Sequence, residues 1–555
     1  MQKISILYKI ILLTALVFHA EAETYYVNQA DGLDTNSGLS LENPWKSIAR
    51  VNSHIFNPGD NILFHRGQKW RETLVPPTSG TELNPVYFGA YGEGVNPVIL
   101  RTDRFSDWKL VQTDNSKSKI WEGRIPKLRN SWGIIIDGQR LPVHKQYDKV
   151  KLSSLNDRYF YSPLNKNVFY LRNDTGNPGI AEIGARKAAI IVENKHHVVI
   201  ENIDAFGPGG RATSGGSTGY MNVMIIGNSS YITLKNMTVS HGNSIGVSAK
   251  SDTTNIKYLN LISHDNASTG IYMNSQNGLI KDCRSFNNGI VASDSGDRGG
   301  IGSFKGSNIN IENNIVHSNG PINGNADYEI SIVGTGRVSI QRNFIYDCRQ
   351  GCLQIAEGGD DSIISYNIIS GYGTAMGKMT SIGKLSGIRI GGGTSGSKNI
   401  QILNNIIHNG HQSSTSREAG IFITNFDNSG LSITNNIFSD NINKHVYIQG
   451  KDISKFSFSH NLYQSNEIPF GWHNKDIYSL TGWRNKLRLD ANSIAADPAF
   501  INKSGVYNQA TDFMLKPMSP AIRKGNQDKI MNTDYFGNVI DTSNPHNIGV
   551  DQTIH

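Results

Sequence analysis

Acidic side chains gather in three short stretches, ASDSGDRGG (292–300), NADYEISI (325–332) and QIAEGGDD (354–361). They bring Asp294 and Asp297, then Asp327 and Glu329, then Glu357. Two carboxyl groups facing one bond can cleave a glycosidic linkage: one protonates the leaving oxygen while the other attacks or activates water. Close carboxylates also push their pKa values apart, which keeps one of them protonated as the acid. That chemistry makes Asp327, Glu329 and Glu357 the catalytic candidates. Asp297, Asp327 and Glu329 have an alternative role as Ca²⁺ ligands, since hard oxygen donors suit that ion. The hydrolytic reading itself requires no cofactor. Asp360 and Asp361 follow two glycines and are assigned to a turn.

A basic fringe raises a rival mechanism. Arg298, Lys305 and Arg389 flank these acids, with His411 and Arg417 in GHQSSTSREAG. A lyase acting on a uronic polysaccharide needs a base for the C5 proton and cations or a metal to neutralise the carboxylate. Lys305 or Arg389 would take the first role and Arg298 the second. His241 and His264 end the successive segments TVSHG and LISHD. No His/Cys grouping shows the sequence spacing of a zinc site. A third class, a β-protein that binds a polysaccharide without cleaving it, needs no convergent acids.

Such residues must be positioned by something repetitive. From residue 198 the chain returns again and again to an apolar pair, a polar residue and Asn-apolar, as in VVIENIDAF, YITLKNMTV, INIENNIVH, VSIQRNFIY and IQILNNIIH. The recurring residues are Asn202, Asn236, Asn260, Asp282, Asn314, Asn343, Asn367, Asn405, Asn436 and Asn461. A second short strand precedes each recurrence, for example GIYMN, YEISIVG, CLQIA, GIRIG and GIFIT. Short strands with polar turns and no helical period predict an all-β coil of parallel strands, each rung burying its neighbour's core. An Asn at one repeated bend would point inward and bond the bends above and below.

Period-two alternation then aims Tyr272, Glu329, Gln354, Arg389, Phe422 and Tyr447 outward as one column, with strands about 4.8 Å apart. Its aromatic members suit stacking on sugar rings or shielding an inserted loop. Tyr272, Asp297, Arg298, Lys305, Gln354, Arg389, His411, Arg417, Phe422 and Tyr447 are the substrate-binding candidates.

The chain resembles a secreted, right-handed parallel β-helix protein of the pectin-lyase-like superfamily. The repeats from about 190 to 465 carry that resemblance, together with YYVN…DGLDTNSGLSLENPWKSI, PGDNILFHRG and the strand-rich IIIDGQRLPV and NKNVFYLR. The resemblance implies a single-stranded solenoid and a polysaccharide-active function, shared among hydrolases, lyases, epimerases and adhesins. The aspartate set of polygalacturonase-type hydrolases and the Arg-x-Pro-x-x-Arg segment of pectate lyases are both missing from the sequence. The expected organisation is a signal peptide (1–22), an N-terminal cap and first turns (23–100), and an inserted β module (101–188). The β-helix (189–466) and a C-terminal closure (467–555) follow.

The opening MQKISILYKIILLTALVFHAEAE has basic flanks, a short apolar run and Ala20-Glu21-Ala22, as an export signal does. Export to the periplasm or medium is therefore expected, without stable membrane insertion. Its removal lowers the formal charge from +7 to +6. A basic protein with no Lys/Arg cluster fits an acidic polymer as partner and excludes nucleic acid. A monomer is expected. Cys283, Cys348 and Cys352 are too few for a disulfide scaffold and are read as small buried residues, a Cys348–Cys352 bridge being the alternative.

Overall fold

The computed structural model describes residues 21–113, 119–124, 134–141, 160–161, 168–208, 221–242, 244–289, 299–320, 328–374, 385–410, 418–465, 469–502, 507–527, 531–541 and 543–553. The expected export signal lies almost wholly outside them. Among these residues no helix is long and apolar enough to cross a membrane.

Three long sheets wind around one core. Sheet A has 13 strands, from Thr24–Val27 to Ser457–Ser459. Sheet B has 13, from Lys69–Trp70 to Ile494–Ala495. Sheet C has 12, from Ile190–Glu193 to Lys475–Ile477. The first turns visit A and B alone; from Ile190 the chain visits C, A and B in turn on each rung, and neighbouring rungs pair in parallel, as with Ile311↔Ile340 in A, Val316↔Ile345 in B and Ile330↔Leu353 in C. This is the parallel β-helix solenoid that the repeats predict. Branched apolar residues dominate the interior because alternate side chains of all three sheets point there. Ile200, Leu234, Ile280, Ile311 and Ile340 stack in that way without measurable exposure.

The top is covered by Trp45, Phe56 and the helix Ile48–Ser53. The helix Leu480–Leu487 closes the bottom, where Trp483 stacks on Phe470. The last segment does more than close that end. Phe500, Phe513, Leu515, Ile548 and Val550 pack with Phe344, Ile368, Ile406, Ile437 and Leu462, which line the outside of sheet B. Between Thr102 and Gly184 the strands are antiparallel and form two separate four-stranded sheets.

The A-to-B bend holds a buried asparagine ladder, with one correction to its members. Asn314, Asn343, Asn367, Asn405, Asn436 and Asn461 point inward, and each Oδ1 accepts bonds from the rung above. The chain ends on Asp490 and Ser493. Asn202, Asn236, Asn260 and Asp282 lie one residue earlier in the rung. They adopt positive φ of 58°, 53°, 51° and 55° and face outward, and Met237, Leu261 and Cys283 fill the inner slot instead.

The B-to-C bend carries a second ladder that the sequence reading missed. Asn266, Asn288 and Asn319 repeat the same bonding: Asn288 and Asn319 each accept the amide and side-chain donors of the asparagine above, and Asn266 accepts the Gly242 amide. On the next rung the equivalent slot is Cys348, which is bonded to Cys352 rather than free. A disulfide sulfur offers Asn319 no good acceptor. The disulfide overturns the expectation of three free buried thiols; Cys283 alone is free and buried.

Candidate functional site

The rung register places Tyr272, Gly302, Ser331, Gln354, Arg389, Phe422 and Tyr447 in one outward column on sheet C. Ser331 stands where Glu329 was expected. Glu329 sits at the start of its strand, 2% exposed, and its carboxyl accepts from the backbone of Asn319 at 2.9 Å and from the Asn319 side chain. It supplies the acceptor that Cys348 cannot. Burial pushes its pKa up to about 8, against the opposing pull of the two Asn319 bonds.

Glu357 follows the other end of the neighbouring strand. Glu329 falls opposite Cys352, between the pairs Tyr328↔Gly351 and Ile330↔Leu353. Five residues of strand therefore separate the two positions, about 16 Å at about 3.3 Å per residue. Paired glycosidase carboxyls stand about 5–9.5 Å apart. The side chain of Glu329 turns away into the B-to-C bend, so these two acids do not face one bond.

Arg389 and Glu357 instead converge on one glycine-rich turn. Glu357, half-buried at φ 55°, accepts from the Thr394 amide at 3.1 Å. A Cβ on Gly393 would fall 1.7 Å from its Oε1, and one on Gly392 would fall 3.0 Å from Nη2 of Arg389. The bare Gly391–Gly393 turn is what lets both side chains pass. Arg389 donates to Gln354 Oε1 at 3.2 Å and reaches the Tyr328 hydroxyl at 3.5 Å. Its Nε is buried with no partner, and no carboxylate among the described residues pairs with it. Lys305 ends its strand exposed at φ 61°, with its ammonium 5.0 Å from the Phe304 ring. Gly334 lies between the rungs of Lys305 and Glu357.

The aromatic part of the column is covered. Phe422 and Tyr447 are each 1% exposed, stacked at 5.3 Å and 3°, and packed with Ala419. Tyr272 is buried with Met221, Met224 and Ile245. Their ring faces are taken by protein, which overturns the sugar-stacking role and leaves the shielding one. Asp360 and Asp361 bond Lys398 and Asn399 across the turn of the next rung. Asp297, Arg298, Asp327, His411 and Arg417 lie outside the described residues, so the expected Ca²⁺ set has only Glu329 within them, and that carboxyl is engaged by Asn319.

Rung stacking also assembles a cluster that residue spacing hid. His241, His264 and Asp265 each place one ligand atom within 4.8 Å of the others. The missed signal was the interval between the histidines, close to one rung. On the outside of sheet B, His264, Phe286, His317 and Tyr346 form a continuous ring stack with centroids 4.5–5.3 Å apart.

The fold and this outer face define the class: a parallel β-helix with a polar, cationic centre on sheet C. No family model matches the chain. In overall fold it is similar to the solved structure described as XylC in complex with xylose, with a TM-score of 0.56 and 11% identity, covering 96% of this chain and 98% of that one. A structure of pectate lyase Pel9A has a TM-score of 0.46 at 12% identity, covering 96% and 97% of the two chains. A stretch of 194 residues is 28% identical to the lacto-N-biosidase of Bifidobacterium longum subsp. longum. The match covers 32% of this chain and 12% of the biosidase.

Proposed function

We propose that the protein is a carbohydrate-active enzyme that cleaves an acidic polysaccharide at the outer face of sheet C, and that it does so by β-elimination. The observation that carries this reading is Arg389: a half-buried guanidinium without a carboxylate partner among the described residues, braced by Gln354 and Tyr328. An arginine in this state is suited to a planar carboxylate such as that of a uronic acid. Neutralising that carboxylate acidifies the C5 proton of the sugar. A base, Lys305 or Glu357, takes the proton; its electron pair forms the C4–C5 double bond, and the C4–O bond breaks. The leaving oxygen then gains a proton. Separation of the two glutamates weighs against a carboxylate pair doing the chemistry.

Hydrolysis is the second reading, favoured by the resemblance of one stretch to a biosidase. It would use Glu357, whose second oxygen has no partner among the described residues. The partner in either case is a polysaccharide.

Digestion of a panel of uronate-containing and neutral polysaccharides tests both readings. Elimination gives the ultraviolet absorbance of an unsaturated uronate together with new reducing ends. Hydrolysis gives reducing ends alone. Arg389→Ala is expected to lower kcat/KM on the acidic polymer about a hundredfold, the scale of losing a buried charge contact of about 3 kcal/mol. An unchanged rate would refute the site.

A further inference from the structure

We propose that His241, His264 and Asp265 bind a late first-row transition metal ion such as Zn²⁺, at the place where the antiparallel module docks on the coil. Ser240 pairs with His264 in register, so His241 and Asp265 occupy the same bend on successive rungs. Both have positive φ, 61° and 54°. One nitrogen of each imidazole and one carboxylate oxygen come within 4.8 Å of one another, the compass of a single ion's ligand shell.

His241 Nδ1 is buried without a hydrogen-bond partner among the described residues. His264 Nδ1 bonds Asp265 Oδ2 at 2.6 Å, and the ring stacks on Phe286 at 5.1 Å and 6°. Imidazole with carboxylate selects Zn²⁺, Ni²⁺ or Cu²⁺ over Ca²⁺ and Mg²⁺, which prefer all-oxygen shells.

Arg140 sets the limit on affinity. It donates to the carbonyls of Gly242 at 2.8 Å and Asp265 at 3.2 Å, joining the module to both bends. Its charge beside the cluster opposes a cation, so binding near 1 µM is expected, about 8 kcal/mol, rather than the tighter hold of a closed zinc site. The fourth coordination position would go to water.

Tag-free protein titrated with Zn²⁺ by calorimetry should take up one ion at this site. His241→Asn and Asp265→Asn, which keep residue types at ease with positive φ, should each weaken it about tenfold or more. His196→Ala, on an exposed histidine of sheet A, should leave it unchanged. Circular dichroism checks that the variants fold. Should they fail to, Co²⁺ added to the wild type decides, an intense visible band at one equivalent supporting the site. Absence of saturable uptake, uptake indifferent to both folded Asn variants, or a missing Co²⁺ band would overturn it.

Discussion

Glu329→Gln separates a structural carboxyl from a chemical one. In the second ladder, Asn319 Oδ1 accepts from Asn288 N at 2.9 Å and Nδ2 at 3.0 Å. A glutamine Oε1 at position 329 could accept the two Asn319 donors in the same way, so the variant keeps the ladder and loses only the titration. The unfolded carboxyl ionises near about pH 4.3, and the folded one at about 8. Between those values the folded state holds a proton that the unfolded state has released. Stability from this group is therefore fully present below about pH 4 and lost as pH rises through about 8. At about 1.4 kcal/mol per unit, three units from about pH 5 to pH 8 amount to about 4 kcal/mol.

Unfolding entropy of about 2.1 cal/mol/K per residue over 555 residues gives about 1.2 kcal/mol/K, so the wild type should lose about 3 °C of Tm that the variant keeps. Calorimetric melts of both proteins from pH 5 to pH 8.5 read that difference directly. Parallel Tm curves would refute the argument that burial, rather than the Asn319 bonds, governs this carboxyl. Polysaccharide turnover in the same buffers should survive the substitution. Its loss in a protein with the expected Tm pattern would return Glu329 to the chemistry.

Gly393→Ala puts a methyl where Glu357 Oε1 now lies and strains a φ of 65°. Turnover should fall about tenfold or more, with a stability loss of about 1–2 kcal/mol, and kinetics beside urea melts check both. Asn343→Ala removes the acceptor for Asn314 and the donor to the Ile311 and Gln341 carbonyls; denaturant unfolding should register a cost of about 3 kcal/mol. Cys348→Ser with Cys352→Ser opens a short loop worth about 2 kcal/mol by chain entropy, read as a lower midpoint in urea.

The coil was legible in the sequence because its signal repeats: apolar alternation and bend asparagines recur on every rung. The slip in the upper ladder has a physical cause. Asparagine satisfies two unrelated demands, a left-handed backbone and an inward acceptor, and Asn202, Asn236 and Asn260 meet the first alone. Lower rungs carry both residues side by side, as in Asn313-Asn314 and Asn404-Asn405, where φ is 57° and 54° at the first of each pair. Alternation gave Glu329 the same parity as Ser331, but parity does not say where along a strand a side chain falls. Nor could it show that Cys348 would interrupt the second ladder and recruit a carboxyl to complete it. The His241 cluster was hidden for the converse reason: its members are neighbours through the rung, not through the chain.

The connections are compatible with the proposed site on sheet C. Every bend from A to B between Glu201 and Leu462 spans two residues, because the ladder tolerates no insertion without breaking its register. Over the same rungs, bends from B to C range from 2 residues, 349–350, to 16, 207–222. Insertions are confined to the border of sheet C, where they alter surroundings without disturbing the core. The shortest of them, held by the Cys348–Cys352 disulfide, belongs to the rung of Gln354, between connections of 10 and 15 residues on the rungs before and after. Any insertion there would have to pass beside Gln354 and Arg389. A bend kept short and covalently fixed on the rung of Gln354 adds no loop of its own over the side chain that braces Arg389, which suits the proposed site for an anionic chain.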